Sequence, residues 1–243
     1  MDGLILVNKD KGMLSFPVVQ RIRALSGEKK VGHTGTLDPQ ATGLLIICLG
    51  RATRLVEMIM NGEKTYEGEF VFGVRTDTLD GDGKVVSSME TNIQESDVRA
   101  LIPQFTGTIS QIPPMVSAVR HKGRRLYDLA REGKTVEREP KQVTIHSLEL
   151  LRWTPGPQPR AWFRIVCSRG TYIRKLAEDM GDILGVGAYL SALIRTNSGS
   201  FTLDEAHSLA YLGKLQAEGR LGDALISLPE ASRRIHKSTF APV

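Results

Sequence analysis

Apolar positions change their period several times along the chain, and each change marks an element. Leu4–Val7 is a continuous apolar run that predicts a short buried strand. Ser15 is placed as an N-cap for a helix through Val18, Val19, Ile22 and Leu25, with Pro17 in its first turn and Gly27 at its end. The stretch VGHTGTLDPQATG is rich in Gly, Thr and Pro and reads as a loop. Leu44–Leu49 is again continuously apolar, a second buried strand. Leu55, Met58 and Ile59 share one helical face within residues 51–60. From Tyr66 to Val74 the pattern alternates, as in a half-buried strand, and RTDTLDGDGK follows as a loop.

The second half continues in the same irregular order. A short helix is predicted over residues 95–102, and ISQIPPMVSAV is an extended segment broken by proline. Leu126–Arg131 is helical, Val143–Leu151 and Trp162–Cys167 read as strands, Thr171–Leu184 has helical spacing, and Tyr189–Arg195 reads as a strand. Helices and strands that interleave this way predict a mixed α/β or α+β sheet domain. From about residue 229, LPEASRRIHKSTFAPV loses its apolar period and reads as a tail, which leaves 1–229 as the domain and 230–243 outside it.

Composition narrows the class. The chain has 243 residues, 41% hydrophobic and 24% charged, enough to bury a core without staples. No apolar run approaches the roughly 18 residues of a membrane span or the length of a signal segment, so the cytoplasm is expected. Cys48 and Cys167 both lie in apolar runs and read as buried thiols in a reducing compartment. The formal net charge of +5 favours a polyanionic partner. Residues 120–141 carry eight Lys/Arg against four Asp/Glu, a solvated face or a backbone-binding segment.

Most candidate motifs fail. Ser26–Lys29 spells SxxK without its partner motifs. Gly185 and Gly187 follow a helix and lack the third glycine of a dinucleotide fingerprint. Asp77, Asp80 and Asp82 sit in a glycine-rich loop with no closing Glu, which reads as a solvated turn, and no Cys/His cluster suggests a metal. The loop Gly32–Pro39 remains. Its glycines permit a tight turn, and Pro39 restricts Asp38 to an extended conformation, so a carboxylate is presented between a turn and a buried strand. Composition alone favours a structural turn here.

The ordered string GHTGTLDPQATGLL resembles the signature of the TruB family of tRNA pseudouridine synthases, GHxGxLDPxATGxL. KTYEGEFVFGVRTDTLDGDG, IPPMVSAVRHKGRRLYDLAREG and CSRGTYIRKLAEDMG resemble the same family in the same order, to about residue 229. The resemblance implies the pseudouridine synthase fold, a mainly antiparallel mixed sheet flanked by helices. It implies an isomerase that turns uridine-55 in the tRNA T loop into pseudouridine, with no cofactor or metal and no obligatory protein partner, and a monomer. By that resemblance Asp38 is the catalytic aspartate, Tyr66 packs on the target base, and Arg174 pairs with the carboxylate. On the same resemblance Leu193 packs in the uracil pocket, His33 enters the T loop and helps hold it open, and Tyr172 sits near the Asp38–Arg174 pair; in an RNA enzyme the basic HKGRR stretch, with Arg124 and Arg125, becomes a candidate for backbone contacts.

Two departures accompany the resemblance. The family opens with a Lys-Pro pair where this chain has Lys9-Asp10, and many members carry a C-terminal RNA-binding PUA domain for which residues 230–243 are too short. A guide-RNA-dependent synthase subunit and a tRNA-folding chaperone on the same scaffold are the alternative readings.

Overall fold

The computed structural model describes residues 1–117 and 119–239. It divides into two compact units: residues 1–66 with 193–243, and residues 67–192. Strands β4 (Lys64–Phe72) and β12 (Ala188–Ser198) are where the chain passes from one unit to the other.

In chain order the first unit contributes β1 (Gly3–Lys9), α1 (Ser15–Ser26), β2 (Val31–His33), β3 (Thr42–Leu49), α2 (Val56–Asn61) and the start of β4. The second holds the rest of β4, β5 (Val74–Thr76), β6 (Val85–Ser88), α3 (Glu95–Leu101), β7 (Gly107–Gln111), β8 (Arg120–His121), β9 (Arg124–Arg125), α4 (Leu126–Arg131), β10 (Lys141–Thr154), β11 (Arg160–Cys167) and α5 (Ile173–Ile183). After β12 the first unit is completed by β13 (Phe201–Thr202), α6 (Leu209–Ala217), β14 (Ile226–Ser227) and α7 (Leu228–Thr239). The observed class is the expected one, a mixed α/β fold in which most strand pairs are antiparallel.

In the first unit the strand order is β14-β1-β3-β12, with β2 on β3 and β13 on β12. β1 and β3 run antiparallel from Gly3↔Leu49 to Lys9↔Gly43. Both are almost wholly buried, as their unbroken apolar runs require. β12 meets β3 in parallel at Ile194↔Thr42 and Arg195↔Gly43. Gly43 has φ +96°, and a Cβ there would lie 2.5 Å from the Arg195 carbonyl oxygen, so only glycine permits this approach. Leu4, Leu6, Leu44, Ile46, Cys48, Phe201, Ala231 and Ile235 form the core.

In the second unit β4 lies beside β11, which pairs with β10, which pairs with β7. The Phe70 and Phe163 rings pack at 4.8 Å inside it. Gly73, at φ +87°, ends β4 and redirects the chain into the β5–β6 hairpin, so the single strand expected over residues 66–74 is two.

Three further expectations change. Ser15 is not the cap of α1: Leu14 is the cap residue, with no side-chain bond, and the Ser15 hydroxyl turns inward instead. Val31–His33, read as loop, pairs with β3. Residues 228–239, read as mostly tail, form α7, which buries Ala231 and Ile235 in the first core. Residues 240–243 of that tail lie outside the described residues. Both cysteines are free and buried, and burial pushes the Cys48 thiol up to about 12. Among the described residues no helix is long and apolar enough to cross a membrane.

Candidate active site

The segment from Thr34 to Ala41 joins β2 to β3, two strands paired in register at His33↔Ile47. Its start is tied to β3, where the Thr34 amide donates to the Ile46 carbonyl at 3.1 Å. Between these ends the backbone is held at alternate residues by buried polar side chains. The Arg195 guanidinium donates to the Gly35 carbonyl at 3.1 Å. Ser15 Oγ accepts the Leu37 amide at 2.9 Å and donates to the Leu37 carbonyl at 3.1 Å. Lys9 Nζ donates to the Pro39 carbonyl at 3.2 Å, and also to Met13 and Asp10 carbonyls at 2.8 and 3.0 Å.

Asp38 sits between the last two anchors, half-buried, with its carbonyl accepting the Ala41 amide at 3.1 Å. A carboxylate on a backbone fixed this closely has little freedom beyond its own side-chain torsions. Gly35, at φ +129°, is the turn that brings the chain to Asp38. The Lys9-Asp10 departure from the family's Lys-Pro pair leaves the lysine in place: Lys9 is fully buried, its charge satisfied by carbonyl oxygens.

His33 closes β2, and its Nδ1 accepts the Gly35 amide at 3.2 Å. Burial lowers its pKa, and the nearby Arg195 charge lowers it further, so the imidazole is neutral at pH 7. Tyr66 is the third residue of β4 and half-buried. Its strand begins at Lys64, whose buried ammonium binds the Ile59, Met60 and Gly62 carbonyls at the end of α2 at 3.2, 2.6 and 2.5 Å. Leu193, on β12, is buried. Asp38, His33, Tyr66 and Leu193 thus all belong to the first unit.

The second unit carries the cationic candidates. Arg174 lies in the first turn of α5 with its side chain 4% exposed. Its guanidinium is 3.3 Å from Asp80 Oδ2 and donates to the Thr78 and Val116 carbonyls at 3.0 and 2.9 Å. Asp80 is therefore not in a solvated turn. It is buried in the loop between β5 and β6, accepts bonds from Thr78 Oγ1 and the Asp82 amide, and balances a buried arginine. Sequence reasoning passed over it because its glycine-rich surroundings look like any exposed turn. Tyr172 caps α5, and the buried Gln111 side chain holds both its amide, at 3.0 Å, and its carbonyl, at 3.3 Å.

Arg124 and Arg125 are both exposed, but they differ in their partners. Arg124 is paired with Glu132, which also binds Lys134 at 2.8 Å, and these two cations hold the Glu132 carboxyl down to about 2. Arg125 instead donates to the Tyr127 hydroxyl at 3.0 Å. The Tyr127 ring has the Arg125 guanidinium at 5.7 Å and that of Arg131 at 5.4 Å. Among the described residues no group of three or more His, Cys, Asp or Glu is placed to hold a metal ion.

In the first unit a carboxylate stands on a loop whose backbone is fixed on both sides, and in the second a buried arginine is braced by a carboxylate and two carbonyls. Comparison with known proteins names the class. Residues 23–173 match the TruB family pseudouridylate synthase N-terminal domain, and residues 174–228 match the tRNA pseudouridylate synthase B C-terminal domain. The chain belongs to the TruB family of pseudouridylate synthases.

Among its relatives, tRNA pseudouridine synthase B of Symbiobacterium thermophilum is 49% identical over 245 residues, covering 97% of this chain and 82% of that protein. The protein of the same name from Moorella thermoacetica is 52% identical over 209 residues, covering 85% and 68%. A chain in the crystal structure of a Cbf5-Nop10-Gar1 complex superposes with a TM-score of 0.73 at 26% identity. That match covers 96% of this chain, which spans only 62% of the solved one.

Proposed function

We propose that this chain converts uridine-55 in the T loop of tRNA to pseudouridine, with Asp38 as the essential carboxylate. The observation that carries the reading is the Asp38 loop, whose sequence resembles the family signature and whose backbone is fixed on both sides of the carboxylate. The relatives named tRNA pseudouridine synthase B support tRNA as the substrate.

The reaction breaks the C1′–N1 bond, turns the uracil and joins C5 to C1′. N1 gains a proton, C5 loses one, and nothing is oxidised or reduced. A uridine stacked inside folded RNA is out of reach, so it is extruded into the site. The Asp38 carboxylate then acts at the ribose or at the ring, by attack on C1′, by removing the C2′ proton or by adding to C6. Each route requires the ionised form. Arg174 is the residue the resemblance pairs with that carboxylate, and its contacts with Asp80 and two carbonyls support a guanidinium whose direction is set in advance. Tyr66 packs on the uracil. His33 and Leu193 line the pocket, Tyr172 stands beside Arg174, and Arg124 and Arg125 meet the RNA backbone. The protein works as a cytoplasmic monomer on bare tRNA.

The test is tritium release from an unmodified tRNA transcript carrying 5-tritiated uridine, which reports loss of the C5 proton directly. The parent releases tritium without guide RNA or added protein. Asp38→Asn releases none while binding tRNA with near-parental affinity. Turnover by the Asn variant, or a requirement for guide RNA in the parent, overturns the reading.

A further inference from the structure

Arg195 is a buried arginine that the reaction chemistry does not call for. It is 2% exposed and sits on β12 where that strand meets β3 in parallel. Its Nε donates to the Leu44 carbonyl at 2.8 Å and its Nη2 to the Gly35 carbonyl at 3.1 Å. Gly35 and Leu44 are the two shoulders of the segment that carries Asp38, so one planar guanidinium ties both ends together. Gly35 is itself one of these contacts, and Gly43 precedes the other. A Cβ on Gly35 would lie 3.6 Å from Arg195 Nη1, and one on Gly43 would strike the Arg195 backbone. Burying a guanidinium is costly, and a β-strand pair needs no such group to form.

We propose that Arg195 is a positioning residue for the catalytic carboxylate. It spans the base of the Asp38 loop and fixes its width, and so the distance at which Asp38 meets the nucleoside. The proposal rests on the reading of Asp38 as the reacting carboxylate. A lysine replaces it only in part, because its donors all leave one nitrogen, whereas the Gly35 and Leu44 carbonyls are reached from two separate nitrogens of a rigid plane. A misplacement near 1 Å of a catalytic group is enough to cost about 100-fold in rate.

Arg195→Lys and Arg195→Met test this against the parent, with Asp38→Asn measured in parallel, by single-turnover tritium release at saturating enzyme and by tRNA binding. The expected result is a graded loss in the chemical step, about 10-fold for Lys and about 100-fold for Met, with tRNA affinity within about threefold of the parent. The imidazole of His33, followed by NMR in the free protein, should titrate at higher pH in Arg195→Met than in Arg195→Lys, because only the former loses the neighbouring charge. A folded Arg195→Lys with the parental single-turnover rate overturns the proposal, as does a defect confined to affinity. If Met abolishes cooperative thermal unfolding, the Lys variant decides. If both variants fail to fold, Arg195 serves the fold alone and the proposal is wrong. If Asp38→Asn stays active, the active-site reading falls and the proposal with it; if Asp38→Asn is inactive and Arg195→Lys is not impaired, only the proposal falls.

Discussion

Two ionisable side chains, His33 half-buried and Asp80 buried, make opposite demands on pH and charge. His33 has its pKa lowered in the folded state, first by burial and then by Arg195. The unfolded chain protonates it near its ordinary value of about 6.5, so its contribution to stability is complete above that pH and is lost as pH falls towards the lower folded value. Thermal unfolding between pH 7.5 and 5 should therefore show a smaller acid-side loss for His33→Gln than for the parent; equal losses would place the effect elsewhere. Asp80 presents the other case. Asp80→Asn removes the carboxylate from a buried ion pair with Arg174, and breaking such a pair costs about 3–5 kcal/mol. The melting temperature should drop sharply, while Asp82→Asn, at an exposed neighbour, should leave it within about a degree of the parent. Neither Asp80 nor Arg195 was legible as a site residue in the sequence. A buried charge is recognised by what surrounds it, and the partners of these two lie far away in the chain, at Arg174 and at Gly35 and Leu44. Asp38 stands out in the sequence only through the family signature around it; composition alone favours a structural turn there, and the side chains that hold its backbone, Lys9, Ser15 and Arg195, are likewise distant in the chain.

Elements built from one dominant period were read correctly, and those with mixed signals were not. The runs Leu4–Val7 and Leu44–Leu49 became the paired strands β1 and β3, and Gly27 ends α1 at φ +67°. Helix α7 escaped because Leu228, Ala231 and Ile235 form only a narrow apolar stripe among arginines and polar residues. The short strand β2 escaped because Val31–His33 merges into the glycine-rich loop. The β9–α4 segment shows how pairing changes the meaning of a basic stretch. Arg124 is already answered by Glu132, whereas Arg125 and Arg131 stand over Tyr127 without a carboxylate in those contacts. If this segment faces RNA, Arg125→Glu should weaken tRNA binding more than Arg124→Glu. Glu132→Gln should then tighten binding at low salt and steepen the salt dependence by about one ion. Filter binding across a salt series checks both; identical slopes in all three variants would assign the segment to solvent.

At the scale of the whole molecule, a net charge of +5 on a chain with a polyanionic substrate makes affinity for tRNA an electrostatic quantity. The dissociation constant should rise steeply with salt while the single-turnover rate at saturation stays nearly flat, since the chemical step depends on fixed groups rather than on counter-ions. A rate that falls in parallel with affinity would contradict that separation. The composition and the mixture of element types pointed to an α/β chain of this size. The division at Tyr66 and Leu193 was not visible, because it falls within β4 and β12, where the apolar pattern runs on without a break. One consequence remains in the loop between β2 and β3. With carbonyls at Gly35, Leu37 and Pro39 each held from inside the protein, the backbone that carries Asp38 has little room to move. On the proposed reading of Asp38 the adaptation falls to the RNA, and the enzyme becomes a gauge of pliancy: a loop whose uridine leaves its stack easily should be modified faster than one of the same sequence locked in a stiffer fold.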